Sequence, residues 1–184
     1  HPGLLLQYSI IQNISLTGIF GFLSEITVEN CLVFNCGQYN AQLVFGGVYD
    51  FNHVTMANYG SYMVEHKDPI LHLGNFAKSN QGNFSADLDA TFTNCIVYGS
   101  LDKEIDLDDD GFAAFNYLFE NCLIKVDTSI NTNTSNFESI LENQDPLFAD
   151  VSEDDYHLTA TSPCIDAGKT TTVTDDLDEN IRDA

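Results

Sequence analysis

Short apolar–polar alternations, each closing on an asparagine, recur along the chain. Ile26 and Val28 lead to Asn30, Phe92 leads to Asn94, and Phe119 leads to Asn121. Period-two alternation in β-branched and aromatic runs predicts short strands with one buried face. The asparagine is then followed by cysteine and a second apolar run: Asn30-Cys31-Leu32-Val33, Asn94-Cys95-Ile96-Val97 and Asn121-Cys122-Leu123-Ile124. Asn52-His53-Val54-Thr55 reads as a fourth copy with His53 in the cysteine position, and Tyr8-Ser9-Ile10-Ile11 fits the slot without the asparagine. The β-branched residue lies three positions beyond the asparagine, where strict alternation would require two. A bend at Asn-Cys would reset the phase, and asparagine tolerates the left-handed backbone such a corner needs. Stacked ~4.8 Å apart, the corner amides could hydrogen-bond in a ladder.

These slots begin at residues 8, 30, 52, 94 and 121, in steps of 22, 22, 42 and 27. The step of 42 reads as two periods, with Gly74-Asn75-Phe76 near the skipped position. A period of about 22 residues predicts a β-solenoid, one supersecondary unit stacked many times. The leucine pattern of leucine-rich repeats is absent. Residues 1–126 are read as the coils. Asp127–Asn136 is a polar loop, and Phe137–Leu141 is compatible with helix. Residues 127–184 are thus expected to form a C-terminal loop and capping segment of the same domain. Phe148, Tyr156, Leu158 and Ile165 would cover the apolar end of the solenoid, Pro146 and Pro163 would fix extended turns, and Gly168 would take positive φ. No cap precedes Leu4-Leu5-Leu6, so the chain is expected to continue into an upstream β-helix segment or partner chain.

Composition narrows the partners. The net charge is −22, with only six Lys and Arg. Such a surface argues against nucleic acid and anionic lipid, which are bound through cations, and it favours solubility. No run of 18 apolar residues exists, so no membrane insertion is expected. Cys31, Cys36, Cys95, Cys122 and Cys164 show no zinc spacing. They read as small buried fillers, with a Cys95–Cys122 bridge between successive coils left open.

Three late motifs carry a resemblance: Asp145-Pro146-Leu147-Phe148, Asp155-Tyr156-His157-Leu158, and Ser162-Pro163-Cys164-Ile165-Asp166-Ala167-Gly168. With Asn94–Gly99 as a rung and Asp176–Arg182 as a tail, the chain resembles the C-terminal portion of bacterial right-handed parallel β-helix proteins of the pectin-lyase-like superfamily. Glu179 stands where their tail usually has glycine. The resemblance implies an all-β, right-handed parallel β-helix with an irregular C-terminal cap. It also implies a secreted or outer-surface protein of a Gram-negative bacterium.

Candidate chemistry is sparse. Asp106-Leu107-Asp108-Asp109-Asp110-Gly111 matches the first half of a calcium loop, with alternate carboxylates from Asp106, Asp108 and Asp110. Tyr117 stands where a bidentate glutamate is needed, and Glu104 or Glu120 would have to compensate. Ca²⁺ is therefore the candidate metal, and no cofactor is required. Lyases on this fold use a basic residue, whereas only Arg182, Lys67, Lys78, Lys103, Lys125 and Lys169 are present. Glu65-His66-Lys67-Asp68, followed by His72, is the most functional-looking polar group, read as an exposed turn before Pro69. The expected function is a carbohydrate-associated scaffold, non-catalytic in this segment. The alternatives are a polysaccharide hydrolase or lyase completed by upstream coils, and a structural or adhesion module.

Overall fold

The computed structural model describes residues 3–62, 64–80 and 82–182. They are all-β, with no α-helix and one 3₁₀ turn at Val151–Glu153. No helix among them is long and apolar enough to cross a membrane. In chain order the strands are β1 (Leu4–Gln7), β2 (Ile10–Gln12), β3 (Ile19–Phe34), β4 (Ala41–Asn58), β5 (Leu71–Gly74), β6 (Phe76–Ser79), β7 (Gly82–Ser85), β8 (Leu88–Thr93), β9 (Ile96–Gly99), β10 (Ile105–Asp108), β11 (Phe115–Glu120), β12 (Leu123–Ile124), β13 (Phe137–Glu138), β14 (Leu141–Glu142), β15 (Phe148–Asp150) and β16 (Asp155–Leu158). A 12-stranded sheet, parallel throughout, curls through 292° in a solenoid-like arrangement.

The register divides the sheet into three faces. On the first face β1, the middle of β3, the middle of β4, β8, β11 and β13 stack in parallel. On the second face β2, the end of β3, the end of β4, β9, β12 and β14 stack. The third face holds the start of β3, the start of β4, β5 and β10. Because β3 and β4 run round all three faces, they tie the faces into one unit.

Alternation places one side of every strand in the interior. On the first face Val28, Phe51, Phe92, Phe119 and Phe137 fall in one register column and are buried. Phe92 and Phe119 stack with centroids 4.6 Å apart, and Phe119 and Phe137 with centroids 5.5 Å apart. On the second face Cys31, Val54, Cys95 and Cys122 share the next inward column, followed by Val33, Met56, Val97 and Ile124. Burying these columns supplies the driving force, at about 25 cal/mol per Å² of apolar surface.

The expected corner is present. Tyr8, Asn30, His53, Asn94, Asn121 and Ser139 all have φ between 48° and 54°, and the phase resets there. The register corrects the fourth copy. His53 aligns with Asn30 and Asn94, and Val54 aligns with the cysteines, because Glu29 pairs with Asn52 and Cys31 pairs with Val54. His53 therefore replaces asparagine at the corner, and Asn52 lies one position earlier.

The step of 42 is a single coil with insertions. The middle and end of β4 pair directly with β8 and β9. The intervening chain contributes residues 59–70, β5 and an antiparallel β6–β7 hairpin. Residues 137–142 are not helix: β13 and β14 pair with β11 and β12, and Ser139 supplies the corner. Stacking thus runs on past Val126.

The late motifs lie along the flank. β15 and β16 form an antiparallel pair, and Phe148 and Tyr156 pack against Phe34, Ala57 and Tyr59 on the second-face side. Ile165 is exposed. Ser162 Oγ donates to the Pro146 carbonyl at 2.6 Å, joining two of the motifs. The chain then returns along the corner column. Asn121 Nδ2 donates to Ala167 O at 3.0 Å, Asn94 Nδ2 to Lys169 O at 2.8 Å, and Lys169 N to Asn94 Oδ1 at 2.8 Å. Arg182 Nη2 donates to Asn30 Oδ1 at 2.8 Å, and Tyr8 Oη to Asp175 Oδ1 at 2.9 Å. The corner amides thus spend most of their capacity on this C-terminal strap, whereas a ladder among themselves was expected. Among the described residues the one direct link between corner side chains is Asn94 Nδ2 to His53 Nε2, at 3.1 Å. Gly168 lacks positive φ; a Cβ there would lie 3.3 Å from Asn94 Oδ1, so close approach accounts for it.

All five cysteines are free thiols. Cys95 and Cys122 are neighbours in their column, with Cys122 Sγ accepting from Cys95 N at 3.3 Å. Burial raises the thiol pKa of Cys31 and Cys95, and raises that of Cys36 and Cys164 to about 11.

Candidate functional site

The outward side of the third face carries a graded surface. Register puts Phe20, Gln42, His72 and Asp106 in one column, and Phe22, Val44, Gly74 and Asp108 in the next. Alternation explains the grading, because Ile19, Leu43, Leu71, Leu73 and Ile105 point inward from the same strands and are buried. Phe20 is 58% exposed and Phe22 48%. Phe22 lies 6.5 Å from Phe20 and 4.9 Å from Phe45 between ring centroids. Beneath them the Tyr49 ring crosses under Gly21, where a Cβ would come within 2.7 Å of it. The patch therefore rests on a filled interior.

Polar groups follow the rings. Tyr39 packs on His72 at 5.1 Å. Burial lowers the His72 pKa against the pull of Asp106 and Asp108, so the ring is neutral near pH 7. Its Nδ1 is buried without a hydrogen bond. Lys103 Nζ lies 2.7 Å from Asp106 Oδ1. The surface passes from aromatic to acidic across four strands.

In the calcium-like loop Asp106 and Asp110 have protein partners. Asp106 and Asp108 lie on β10, with Asp106 paired to Lys103. Asp110 accepts from Ser85 Oγ at 2.6 Å and from Phe112 N at 3.1 Å. The buried Asn75 organises the turn, donating to Asp109 Oδ1 at 2.6 Å and Ala113 O at 3.1 Å, and accepting from Asp110 N at 3.2 Å. Among the described residues no three His, Cys, Asp or Glu side chains gather where they could hold a metal. Neither suggested helper joins the loop: Glu120 pairs with Lys169 at 2.7 Å, and Glu104 lies inside the molecule.

The group at Glu65–Asp68 is split. Glu65 and Lys67 pair with each other at 2.7 Å in solvent. His66 turns inward, its side chain only 2% exposed, toward Glu104, which is fully buried. His66 Nε2 lies 3.2 Å from Glu104 Oε2, off the hydrogen-bonding direction, and neither atom has a hydrogen bond. Glu104 Oε1 accepts from Leu101 N at 2.8 Å. On the other side, His66 Nδ1 lies 2.9 Å from Ser100 Oγ. Gly99 makes the approach possible, since a Cβ there would stand 2.6 Å from Glu104 Oε1 and 2.3 Å from Asn58 O. Ser100 and His66 open on a cleft of about 460 Å³, also lined by Tyr59, Gly60, Ser61, Val64 and Glu65.

Sequence spacing points to His66 but not to Glu104 or Ser100 as its neighbours. They meet because the long connection 59–70 and the short connection 100–104 turn the same corner of successive coils. A fully buried glutamate would be the signal, but burial is not legible one residue before an ordinary strand. No family model matches the chain, and no match is found among curated proteins or solved structures.

Proposed function

We propose that the chain is the pectin-lyase-like, right-handed parallel β-helix its C-terminal motifs resemble, with about 22 residues in an uninterrupted coil. In this reading it is a secreted or outer-surface scaffold that binds carbohydrate on its third face without chemistry there. The observation that carries the reading is the cluster of exposed Phe20 and Phe22 with half-buried Phe45, beside Gln42 and His72. Aromatic rings offer flat apolar surfaces to the C–H faces of sugars, and neighbouring polar groups can receive hydroxyls. Isolated exposed rings are common, but three in contact mark a binding surface. The charge of −22 directs the reading away from uronate and sulfated polymers.

Titration calorimetry with neutral oligosaccharides tests it. Phe22→Ala should weaken the best ligand about tenfold or more while leaving Tm nearly unchanged, because the ring is half exposed. Absence of binding to any glycan would overturn the reading in favour of a structural or adhesion module. Depolymerisation of a glycan at this face, with or without added Ca²⁺, would favour the hydrolase or lyase alternative.

A further inference from the structure

We infer that Ser100, His66 and Glu104 form a nucleophile–base–carboxylate relay that hydrolyses small acyl esters in the cleft beside Tyr59. The three groups are neighbours in that order: Ser100 Oγ lies 2.9 Å from His66 Nδ1, and His66 Nε2 lies 3.2 Å from Glu104 Oε2. The order nucleophile, base, carboxylate defines such relays by geometry, whatever the fold and whatever the order along the chain. In the tautomer with its proton on Nε2, His66 offers a lone pair at Nδ1 to Ser100 Oγ, and a rotation of the ring would bring the Nε2 proton onto Glu104 Oε2.

Burial makes the arrangement unusual. A buried carboxylate and imidazole left without their mutual hydrogen bond are costly, and a purely structural pair would gain by closing it. Relay bonds in ligand-free enzymes are often loose and tighten when the imidazole takes a proton. Ser100 is exposed to the cleft while Glu104 is sealed from water, which places the reactive end outward and the charge-balancing end inward. Tyr59 lines the same cleft. Burial raises its pKa, so its hydroxyl keeps its proton.

The reaction balances with water as the only co-substrate. Ser100 Oγ attacks the ester carbonyl carbon as its proton passes to His66 Nδ1. The carbon–alkoxy bond breaks, and the alcohol leaves with that proton, giving an acyl-serine. Water then attacks the acyl carbon and passes a proton to Nδ1. The acyl–Oγ bond breaks, Oγ recovers the proton, and the carboxylic acid departs. Glu104 acts through His66 as a positioning residue. The open cleft suits a short acyl group, and the acidic surface disfavours anionic esters.

The test is hydrolysis of p-nitrophenyl acetate by the full chain. Saturable turnover is expected, with Ser100→Ala lowering kcat/KM at least about 100-fold. Circular dichroism checks that this variant stays folded. A fluorophosphonate should add its mass to the peptide holding Ser100 in the parent and not in Ser100→Ala. Glu104→Gln should lower kcat and displace the acid limb of its pH profile. Turnover indistinguishable from buffer, or undiminished in Ser100→Ala, would overturn the relay. It would leave the glycan reading intact, because that rests on the third face.

Discussion

Tyr8, Asn30, His53, Asn94, Asn121 and Ser139 occupy one corner column with left-handed backbone, a conformation costing about 1–2 kcal/mol for most residues and less for asparagine. His53 fills this slot and is itself satisfied: Nδ1 meets Asn52 Oδ1 at 2.8 Å, and Nε2 meets Asn94. Burial, with a smaller contribution from Arg182, lowers its pKa to about 4. An unfolded chain takes up this proton near pH 6.5, but the folded one does not until about pH 4. His53 therefore removes stability as pH falls through that window and changes nothing above it. His53→Asn should keep the corner and flatten the loss, so its urea midpoint should gain on the parent between pH 7 and pH 4.5. Parallel curves for the two proteins would show that His53 is not the titrating group. The asparagines of this corner are legible because few residues accept the backbone. His53 is misplaced by sequence alone, since Asn52 beside it mimics the Asn-Cys motif and only the pairing of Glu29 with Asn52 fixes the slot.

The C-terminal strap belongs to the scale of elements. Ala167, Lys169, Asp175 and Arg182 meet successive corners from Asn121 back to Tyr8, so the last residues bind coils laid down far earlier in the chain. Each such hydrogen bond contributes about 1 kcal/mol net. Asn94→Ala removes two of them and the link to His53, and it puts alanine in the left-handed corner, so it should cost about 3 kcal/mol or more. It should also raise amide hydrogen exchange across residues 167–175 well above that of β8 and β9. Uniform exchange in both regions would show that the segment is not held through the corner. The Ser162–Gly168 motif signals this segment in sequence, but its direction along the flank is not legible. Exposed flank and apolar end both accept Phe148 and Tyr156, and the choice falls to Phe34 and Ala57, whose side chains complete the flank cluster.

Across the whole molecule, a net charge of −22 has few cations to offset it. Among the described residues Lys67, Lys103 and Lys169 are each committed to a single carboxylate. Repulsion between exposed carboxylates is screened once the Debye length falls to about 10 Å near 0.1 M salt. Raising NaCl from 10 mM to 300 mM should therefore stabilise the fold by about 1 kcal/mol, or roughly 2–4 °C in Tm. A fall in Tm would mean that the ion pairs outweigh the repulsion.

Alternation, the left-handed corner and the buried cysteine column follow from sequence, because each depends on a residue and its immediate neighbours. The true coil boundaries depend on which strands pair, so the insertion between β4 and β8 reads as an extra coil until the register is known. Functional geometry depends on it still more. Phe20 reaches the column of His72 and Asp106, and Ser100 reaches His66 and Glu104, only because coils of unequal length return to the same corners. That return is decided by packing of the shared core.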